Sequence, residues 1–149
     1  MLKQLIFILI FTAFSCSVFA QLKWISFRDL NDSLTIQPRT MLIYIHSNWC
    51  KYCKLQENAV FNDPKVIELL NQKVYPLKLD AESREEVIFL GRKYEGASVN
   101  SYHELAMHWA AIEGRLTLPS IVILNSNSVY KVINGYIKRE KLIAILNEL

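Results

Sequence analysis

The chain has 149 residues, 52% of them hydrophobic, which suits one compact domain and is too short for two ordinary ones. Its formal net charge is +3, and residues of both signs are scattered along the sequence. Because no basic run is interleaved with aromatic residues, the composition argues against a nucleic-acid-binding protein.

The first twenty residues predict a secretory signal peptide. Lys3 is their only charged residue, and positions 5–14 are almost continuously apolar. The tripeptide that ends at Ala20 follows the small-x-small rule of signal peptidase. We therefore expect residues 1–20 to be removed and residues 21–149 to form the mature domain, which would be periplasmic or secreted.

Two other interpretations of this segment stay open. It could be an uncleaved membrane anchor, although a spanning helix needs about twenty apolar residues. It could also belong to a lipoprotein that is modified at Cys16, although the three residues before Cys16 make a poor lipobox. Either alternative would hold the protein at a membrane, whereas cleavage after Ala20 would release it.

Cleavage after Ala20 would leave two cysteines, Cys50 and Cys53, in the mature chain. An even number of cysteines in an exported protein usually indicates a structural disulfide. A disulfide between residues three apart closes a very small loop, however, and constrains little of the unfolded chain. The spacing therefore favours redox chemistry over reinforcement.

In the first half of the mature chain, apolar periodicity predicts helices that alternate with strands. Leu55, Val60 and Phe61 are expected on the inner side of the helix that begins at Cys50. The predicted elements are a short edge strand at 22–25, a helix at 26–35 capped by Ser26, a buried strand at 41–45, helices at 50–61 and 64–71, the latter capped by Asp63, and a second central strand at 74–79, in which Pro76 argues for an edge position or an irregular start.

The second half is predicted to begin with an insert and to end with a hairpin and a helix. The elements are a short strand at 87–90, a loop or hairpin at 91–100, a helix at 101–113 capped by Ser101 and ended by Gly114, strands at 120–124 and 129–133 joined by a turn, and an amphipathic helix at 138–149. The order of the elements indicates an α/β fold with a central mixed sheet and helices on both faces.

The two cysteines stand at the predicted start of a helix that directly follows a buried strand. At a helix N-terminus, free backbone N–H groups and the helix dipole stabilise a thiolate, which is the nucleophile of thiol–disulfide exchange. Cys53 lies about one turn after Cys50 and can attack the resulting mixed disulfide. We therefore expect Cys50 to be the attacking residue and Cys53 the resolving one. A structural disulfide or half of a zinc site are the alternatives, although zinc would need two further ligands.

This region resembles the thioredoxin family, and especially exported bacterial thioredoxin-like domains such as the C-terminal domain of DsbD. Three features carry the resemblance: the Trp-Cys-x-x-Cys motif after a strand, Pro119 just before another strand, and Gly135 before the last helix. The resemblance covers residues 22–149 and implies a thioredoxin fold. Residues 85–114 are its least typical part and form an insert before the cis-proline strand.

The resemblance also implies a substrate-binding site around the cysteine pair. Pro119 would form a cis peptide bond packed against the pair, and the main chain of Leu118 would bind an extended partner segment. Trp49, Lys51 and Tyr52 would line the same site, where Lys51 would favour the thiolate. Core packing for Trp49 and a merely solvated Lys51 are the alternatives. No cofactor and no metal are implied.

One position departs from the family pattern. Thioredoxins usually carry a buried Asp six residues before the first cysteine, which assists proton transfer to the second, whereas this chain has Tyr44 there. Glu57, one turn after Cys53, could take its place. The alternative is that Glu57 lies on a solvated helix face.

The three histidines do not form a metal motif in the sequence. His103 and His108 are five residues apart and diverge by about 140° on a helix, whereas a zinc-protease helix needs histidines four apart. We expect both at the surface or in partner contacts, with Leu105 and Trp109 in the core. His46, four residues before the first cysteine, could tune the pKa of that cysteine or be structural.

The leading functional prediction is an exported protein-disulfide oxidoreductase, for which the resemblance favours the reductase or isomerase direction. Its partners would be cysteine-containing exported proteins and an upstream redox donor, which could be membrane-bound; we expect a monomer. Two alternatives stay open. One is a thioredoxin-fold binding module in which the disulfide is incidental, and the other is a copper- or other metal-handling protein that uses both cysteines and a histidine.

Overall fold

The computed structural model describes residues 21–125 and 128–149 of the chain. The predicted signal peptide and the middle of the predicted turn at 125–128 lie outside the described residues. The elements, numbered in chain order, are α1 (Phe27–Ile36), β1 (Thr40–His46), α2 (Lys51–Gln56), which continues as a π-helical turn (Glu57–Phe61), α3 (Pro64–Lys73), β2 (Val74–Asp80), β3 (Val87–Phe89), β4 (Arg92–Tyr94), α4 (Glu104–Ala110), β5 (Ser120–Asn125), β6 (Ser128–Asn134) and α5 (Arg139–Asn147).

A mixed sheet of four strands has the order β2-β1-β5-β6. The inner strand β1 runs parallel to β2 and antiparallel to β5, and β5 pairs antiparallel with β6. β2 is an outer strand, so the central position predicted for it is wrong and the edge position that Pro76 favours is confirmed. The strand predicted at 22–25 is reduced to one bridge between Ile25 and Leu77, in which the Ile25 N–H donates to the Pro76 carbonyl at 2.9 Å.

Helices cover both faces of the sheet, as predicted, and each face has its own apolar core. The core under α2, α3 and α5 includes Val60, Leu70 and Leu146, packed with Leu42 and Ile123 of the sheet. The core under α1, α4 and the β3–β4 hairpin includes Leu30, Phe89 and Leu105, packed with Ile43 and Val122. Burial on both faces explains why residues 41–45 form an unbroken apolar run.

Two helix starts follow directly from their capping residues. The Ser26 hydroxyl accepts the Asp29 N–H at 3.1 Å at the start of α1. The Asp63 carboxylate accepts the N–H groups of Lys65 and Val66 at 2.9 and 3.1 Å at the start of α3. These bonds satisfy backbone donors that have no partner inside the helix. Both predicted caps are therefore confirmed.

The predicted helix at 101–113 is wrong at both ends. It begins three residues later, at Glu104, because the Ser101 backbone pairs with Ser98 in a tight turn. It ends at Ala110, because the Ile112 and Arg115 backbones exchange hydrogen bonds at 3.0 and 2.9 Å. Gly114 therefore sits in a turn, at φ +74°, and not at the end of a helix.

Candidate active site

Cys50 and Cys53 form a disulfide at the start of α2. Cys50 is the N-cap residue of this helix, and its Sγ accepts the Cys53 N–H at 3.1 Å. Both residues are buried, Cys50 being 4% exposed and Cys53 1%. Cys50 Sγ therefore receives a backbone hydrogen bond at a helix start, whereas Cys53 is almost wholly shielded from solvent.

Large side chains around the disulfide point into solvent. Trp49 is 61% exposed and Tyr52 65%, so core packing of Trp49 is wrong. Lys51 is exposed as well. Leu55, which the sequence placed on the inner side of α2, is 46% exposed, and Gln56 is buried in its stead. Position 56 lies three residues after Cys53 on the same helix face, which is the face that packs on the sheet.

Gln56 fixes the distance between α2 and the start of α5. Its Oε1 accepts the Ile137 N–H at 2.9 Å, in a buried position one residue before the capping residue of α5. This role was not predicted from the sequence, because a glutamine beside a glutamate is typical of an exposed helix face. Its spacing of three from Cys53 and four from the buried Val60 is the signal that could have found it.

The pairing of β5 with β1 places Pro119 at the end of the sheet where the disulfide lies. Ser120 at the start of β5 pairs with Ile45, and Cys50 follows Ile45 by five residues. The Leu118–Pro119 peptide bond is cis. Pro119 is buried and Leu118 is half-buried against both cores.

Hydrogen bonds fasten the Pro119 segment to β6. The Pro119 carbonyl accepts the Gly135 N–H at 2.7 Å, where Gly135 has φ +85°. The buried Ser120 hydroxyl lies 2.5 Å from the Thr117 carbonyl and 2.7 Å from Asn134 Oδ1. The positive φ explains why a glycine stands at this position before the last helix.

Tyr44 lies directly beneath the cysteine pair and is wholly buried. Its hydroxyl donates to the Cys53 carbonyl at 3.0 Å. Its ring stacks on His46 at a centroid distance of 5.5 Å and meets Phe61 edge-on at 4.8 Å. Burial raises the pKa of Tyr44, and the negative charge of the nearby Glu57 carboxylate raises it further. The phenol is therefore a neutral hydrogen-bond donor at any physiological pH.

Glu57 places a carboxylate near the Tyr44 hydroxyl. It begins the π-helical turn after α2, and its Oε1 lies 3.0 Å from Lys78 Nζ. Lys78 on β2 is the register partner of Tyr44 on β1. The sequence left open whether Glu57 sits on a solvated face; it is partly exposed and in an ion pair beside the buried phenol.

His46 ends β1 next to this group. Burial lowers the pKa of His46, and the positive charge of Lys78 lowers it further, against smaller opposing effects of Asp80 and Glu57. Its carbonyl accepts the Ala81 N–H at 2.8 Å, which joins the ends of β1 and β2. The His46 ring thus stacks on Tyr44 beside the site, while its carbonyl ties β1 to β2.

The surface position predicted for His103 is wrong, whereas His108 is exposed as predicted. His103 is wholly buried and caps α4, its Nδ1 accepting the Leu105 N–H at 3.1 Å. Because Nδ1 is an acceptor, Nε2 carries the proton and donates to the Glu85 carbonyl at 3.1 Å. Burial lowers the pKa of His103. Leu105 is in the core as expected, and Trp109 packs against it while partly exposed.

The described residues contain neither a cluster suited to a metal ion nor a helix suited to a membrane. Within 21–125 and 128–149, no group of three or more His, Cys, Asp or Glu side chains is arranged to hold a metal ion. In the same ranges, no helix combines the length and hydropathy needed to cross a membrane.

Comparisons with known proteins agree with this geometry. No curated protein matches the chain. The family model of the thioredoxin-like domain matches residues 32–149. The chain is similar to a thioredoxin from Thermus thermophilus, with 20% identity, coverage of 86% of each chain and a TM-score of 0.62.

Two further solved structures show the same fold. A thioredoxin-fold protein from Helicobacter pylori is 20% identical over 87% of this chain and 74% of that chain, with a TM-score of 0.58. The oxidised C-terminal domain of Neisseria meningitidis DsbD is 17% identical over 81% of this chain and 90% of that chain, with a TM-score of 0.54. The chain therefore belongs to the thioredoxin-like family: it has the fold of the thiol–disulfide oxidoreductases and, in Cys50–Cys53, a disulfide of the CxxC type.

Proposed function

We propose that this protein is an exported thiol–disulfide oxidoreductase that exchanges disulfides with cysteine-containing proteins through Cys50 and Cys53. The observation that carries the proposal is the disulfide at the start of α2, in which Cys50 is the N-cap and the more exposed partner. A structural disulfide of this loop size would add little stability, which favours a redox role.

In the reducing direction, both cysteines begin as thiols. The Cys50 thiolate attacks one sulfur of a partner disulfide, forms a mixed disulfide with it and releases the other partner sulfur as a thiolate. Cys53 then loses its proton and attacks Cys50 Sγ. The Cys50–Cys53 disulfide forms, and the second partner sulfur leaves and takes up a proton. The partner has gained two electrons and the cysteine pair has lost two. A donor dithiol must then reduce the Cys50–Cys53 disulfide before the next cycle.

The environment of Cys50 supports its role as the attacking residue. In the thiolate state its Sγ would keep the hydrogen bond from the Cys53 N–H and lie at the positive end of the helix dipole. Exposed Lys51 adds a positive charge beside it. Together these interactions favour the negative charge on Cys50 over that on Cys53, which is buried above the neutral Tyr44.

Glu57 is the candidate acceptor for the Cys53 proton. It lies four residues after Cys53, at the border of solvent and protein, and Lys78 holds its carboxylate in place. The Tyr44 hydroxyl donates to the Cys53 carbonyl and stays neutral, so it does not act as a proton acceptor. A carboxylate anchored on the helix would thus replace the one that thioredoxins carry on the strand.

The surface around the pair would bind the partner. Trp49 and Tyr52 are exposed beside it, and Pro119 is held at the same end of the sheet by the pairing of Ser120 with Ile45. We propose that Trp49, Lys51, Tyr52, Leu118 and Pro119 line the substrate-binding site. The reductase or isomerase direction is favoured by the resemblance to the DsbD C-terminal domain, and export by the predicted signal peptide.

Trapping of mixed disulfides tests the proposal. Cys53→Ser should accumulate mixed disulfides with exported proteins, because the resolving sulfur is gone, whereas Cys50→Ser should accumulate none. The adducts are counted on non-reducing gels of periplasmic extracts. Equal trapping by both variants would remove the attacking role from Cys50. A wild-type protein that fails to reduce any generic disulfide would favour the binding-module alternative.

A further inference from the structure

The outer surface of α2 carries a strip of exposed apolar side chains. Trp49, Tyr52 and Leu55 are 61%, 65% and 46% exposed. Tyr52 and Leu55 are three residues apart and therefore adjoin on one flank of the helix. Trp49 directly precedes Cys50, the N-cap of this helix, so the exposed apolar side chains begin beside the disulfide. Trp and Tyr side chains are enriched among the few residues that dominate the binding energy of protein interfaces.

A second, cationic strip runs next to it. Lys51 and Lys54 are also three residues apart, and both are exposed. Neither forms an ion pair with any residue in the described part of the chain. Glu57 follows Lys54 by about one turn, but its carboxylate forms an ion pair with Lys78. The helix that carries the disulfide thus presents two uncompensated positive charges alongside an apolar surface.

We propose that this helix selects its partners by charge: the preferred substrate is a polypeptide segment in which the exchanged cysteine is flanked by carboxylate and apolar side chains. This inference rests on the proposed function and names its substrate class. Carboxylates would meet Lys51 and Lys54, and apolar residues would cover Tyr52 and Leu55. Complementary charge acts mainly by steering encounters, which raises association rates and makes them sensitive to salt.

Two other occupants of the same surface fit the observations less well. A second copy of the chain in a two-fold contact would bring two copies of the same positively charged surface together, and like charges repel. An anionic membrane would satisfy the lysines but brings no sulfur to the disulfide at the end of the strip. A cysteine-containing polypeptide matches the charge, the apolar surface and the chemistry together.

The test compares two matched peptides, each with one disulfide, whose cysteines are flanked by Glu-Phe or by Lys-Phe. Neutral hydroxyethyl disulfide is the third probe. We expect the reduced protein to act on the acidic peptide about tenfold faster than on the basic one at low salt, at the lower end of electrostatic steering. The ratio should fall towards one in 0.5 M NaCl, because the Debye length is then only a few ångströms.

Charge reversal locates the effect. In Lys51→Glu/Lys54→Glu the ratio of the two peptide rates should fall to one or invert. Using a ratio cancels any change in the intrinsic reactivity of Cys50. The matched control is Lys23→Glu/Lys141→Glu, which makes the same change in net charge at exposed positions outside α2 and should keep the ratio.

The outcomes separate this inference from the function on which it rests. If the wild-type protein does not reduce hydroxyethyl disulfide, the proposed function fails. If it does, but the two peptides react equally, or the control pair abolishes the preference as strongly as the α2 pair, the charge selection is overturned. Binding to anionic vesicles that depends on Lys51 and Lys54, without peptide preference, would assign the surface to a membrane.

Discussion

At the scale of single residues, the site is organised around a phenol where thioredoxins have a carboxylate. Tyr44 is wholly buried, and its hydroxyl donates a hydrogen bond to the Cys53 carbonyl. A buried, neutral donor can hold the helix in place but cannot accept a proton from a thiol. The acid–base role is therefore proposed for Glu57, the carboxylate next to this phenol.

Glu57→Gln should slow the resolving step. The substitution keeps the size of the side chain and removes the proton acceptor, so the decay of a mixed disulfide on Cys50 should slow by about tenfold or more at pH 7. Rapid-quench measurement of that decay gives the rate. The defect should shrink as the pH rises, because hydroxide can then take the Cys53 proton in place of the carboxylate. Glu68→Gln on α3 is the control, and equal decay in both variants would exclude Glu57.

His103 is expected to make stability depend on pH. Its folded-state pKa is lowered, because burial opposes the charged form, so the unfolded chain binds a proton more readily. Its contribution to stability is therefore complete above the unfolded pKa of about 6.5 and is lost as the pH falls below that value. Protonation would also turn Nδ1 from acceptor to donor and break the cap of α4.

The corresponding variant is His103→Asn, since Asn is a good N-cap that does not titrate. Urea unfolding at pH 7.5 and 5.5 should show a smaller loss of stability at low pH in this variant than in the wild type. His108→Asn, at an exposed position, should leave the wild-type difference intact. A wild-type pH difference that survives His103→Asn unchanged would contradict the assignment.

At the scale of secondary-structure elements, local signals predicted some boundaries well and others poorly. Ser26 and Asp63 cap helices as expected, because each side chain reaches backbone donors within its own turn. Ser101 was an equally good candidate, but its backbone is committed to Ser98, a pairing set by the fold of the insert. The sequence does not show whether a serine such as Ser101 will cap the following helix or pair with the preceding turn.

The cysteine motif could likewise be predicted from the sequence, but the packing of the helix that carries it could not. The helix start at Cys50 follows from the motif and the preceding strand. The buried Gln56 and the exposed Leu55 invert the order that hydrophobicity suggests. Gln56 is buried because the Ile137 N–H needs an acceptor there, and that partner lies 81 residues away in sequence. Contacts at such separation leave no local pattern.

Gly96 is expected to be essential to the insert. A Cβ at this position would overlap the backbone carbonyl group of Arg84. Gly96→Ala should therefore force residues 83–85 and 95–97 apart and destabilise the protein by about 1–3 kcal/mol. Chemical denaturation measures the change. Ala97→Ser, one residue further on, should cost much less, and similar losses in both variants would contradict the close approach.

At the scale of the whole molecule, the domain is a sheet with two separate apolar cores, and its folded structure includes the residue after the predicted cleavage point. The Asn71 side chain donates to the Gln21 carbonyl and accepts the Lys23 N–H, both at 3.0 Å. Removal of residues 1–20 would leave these contacts intact. We therefore expect the mature protein to keep its N-terminal segment fastened to α3.

The mature N-terminus can be determined directly. Intact mass and N-terminal sequencing of the exported protein should give Gln21 as the first residue. Retention of Met1 would indicate an uncleaved anchor, and a lipid on Cys16 would indicate a lipoprotein. Asn71→Ala should leave the cleavage site unchanged while it loosens residues 21–23, detected as faster amide hydrogen exchange in that segment.

The burial of Cys53 beneath Cys50 also bears on oxidative damage. If peroxide oxidises the Cys50 thiolate, it leaves a sulfenic acid, the first step of a ladder that continues to irreversible sulfinic and sulfonic acids. The Cys53 thiol, one helical turn away, can attack that sulfenic sulfur, expel water and restore the disulfide. Peroxide would thus produce the same disulfide that forms in each reaction cycle, whereas Cys53→Ser should accumulate over-oxidised Cys50, visible as mass increases of two and three oxygen atoms.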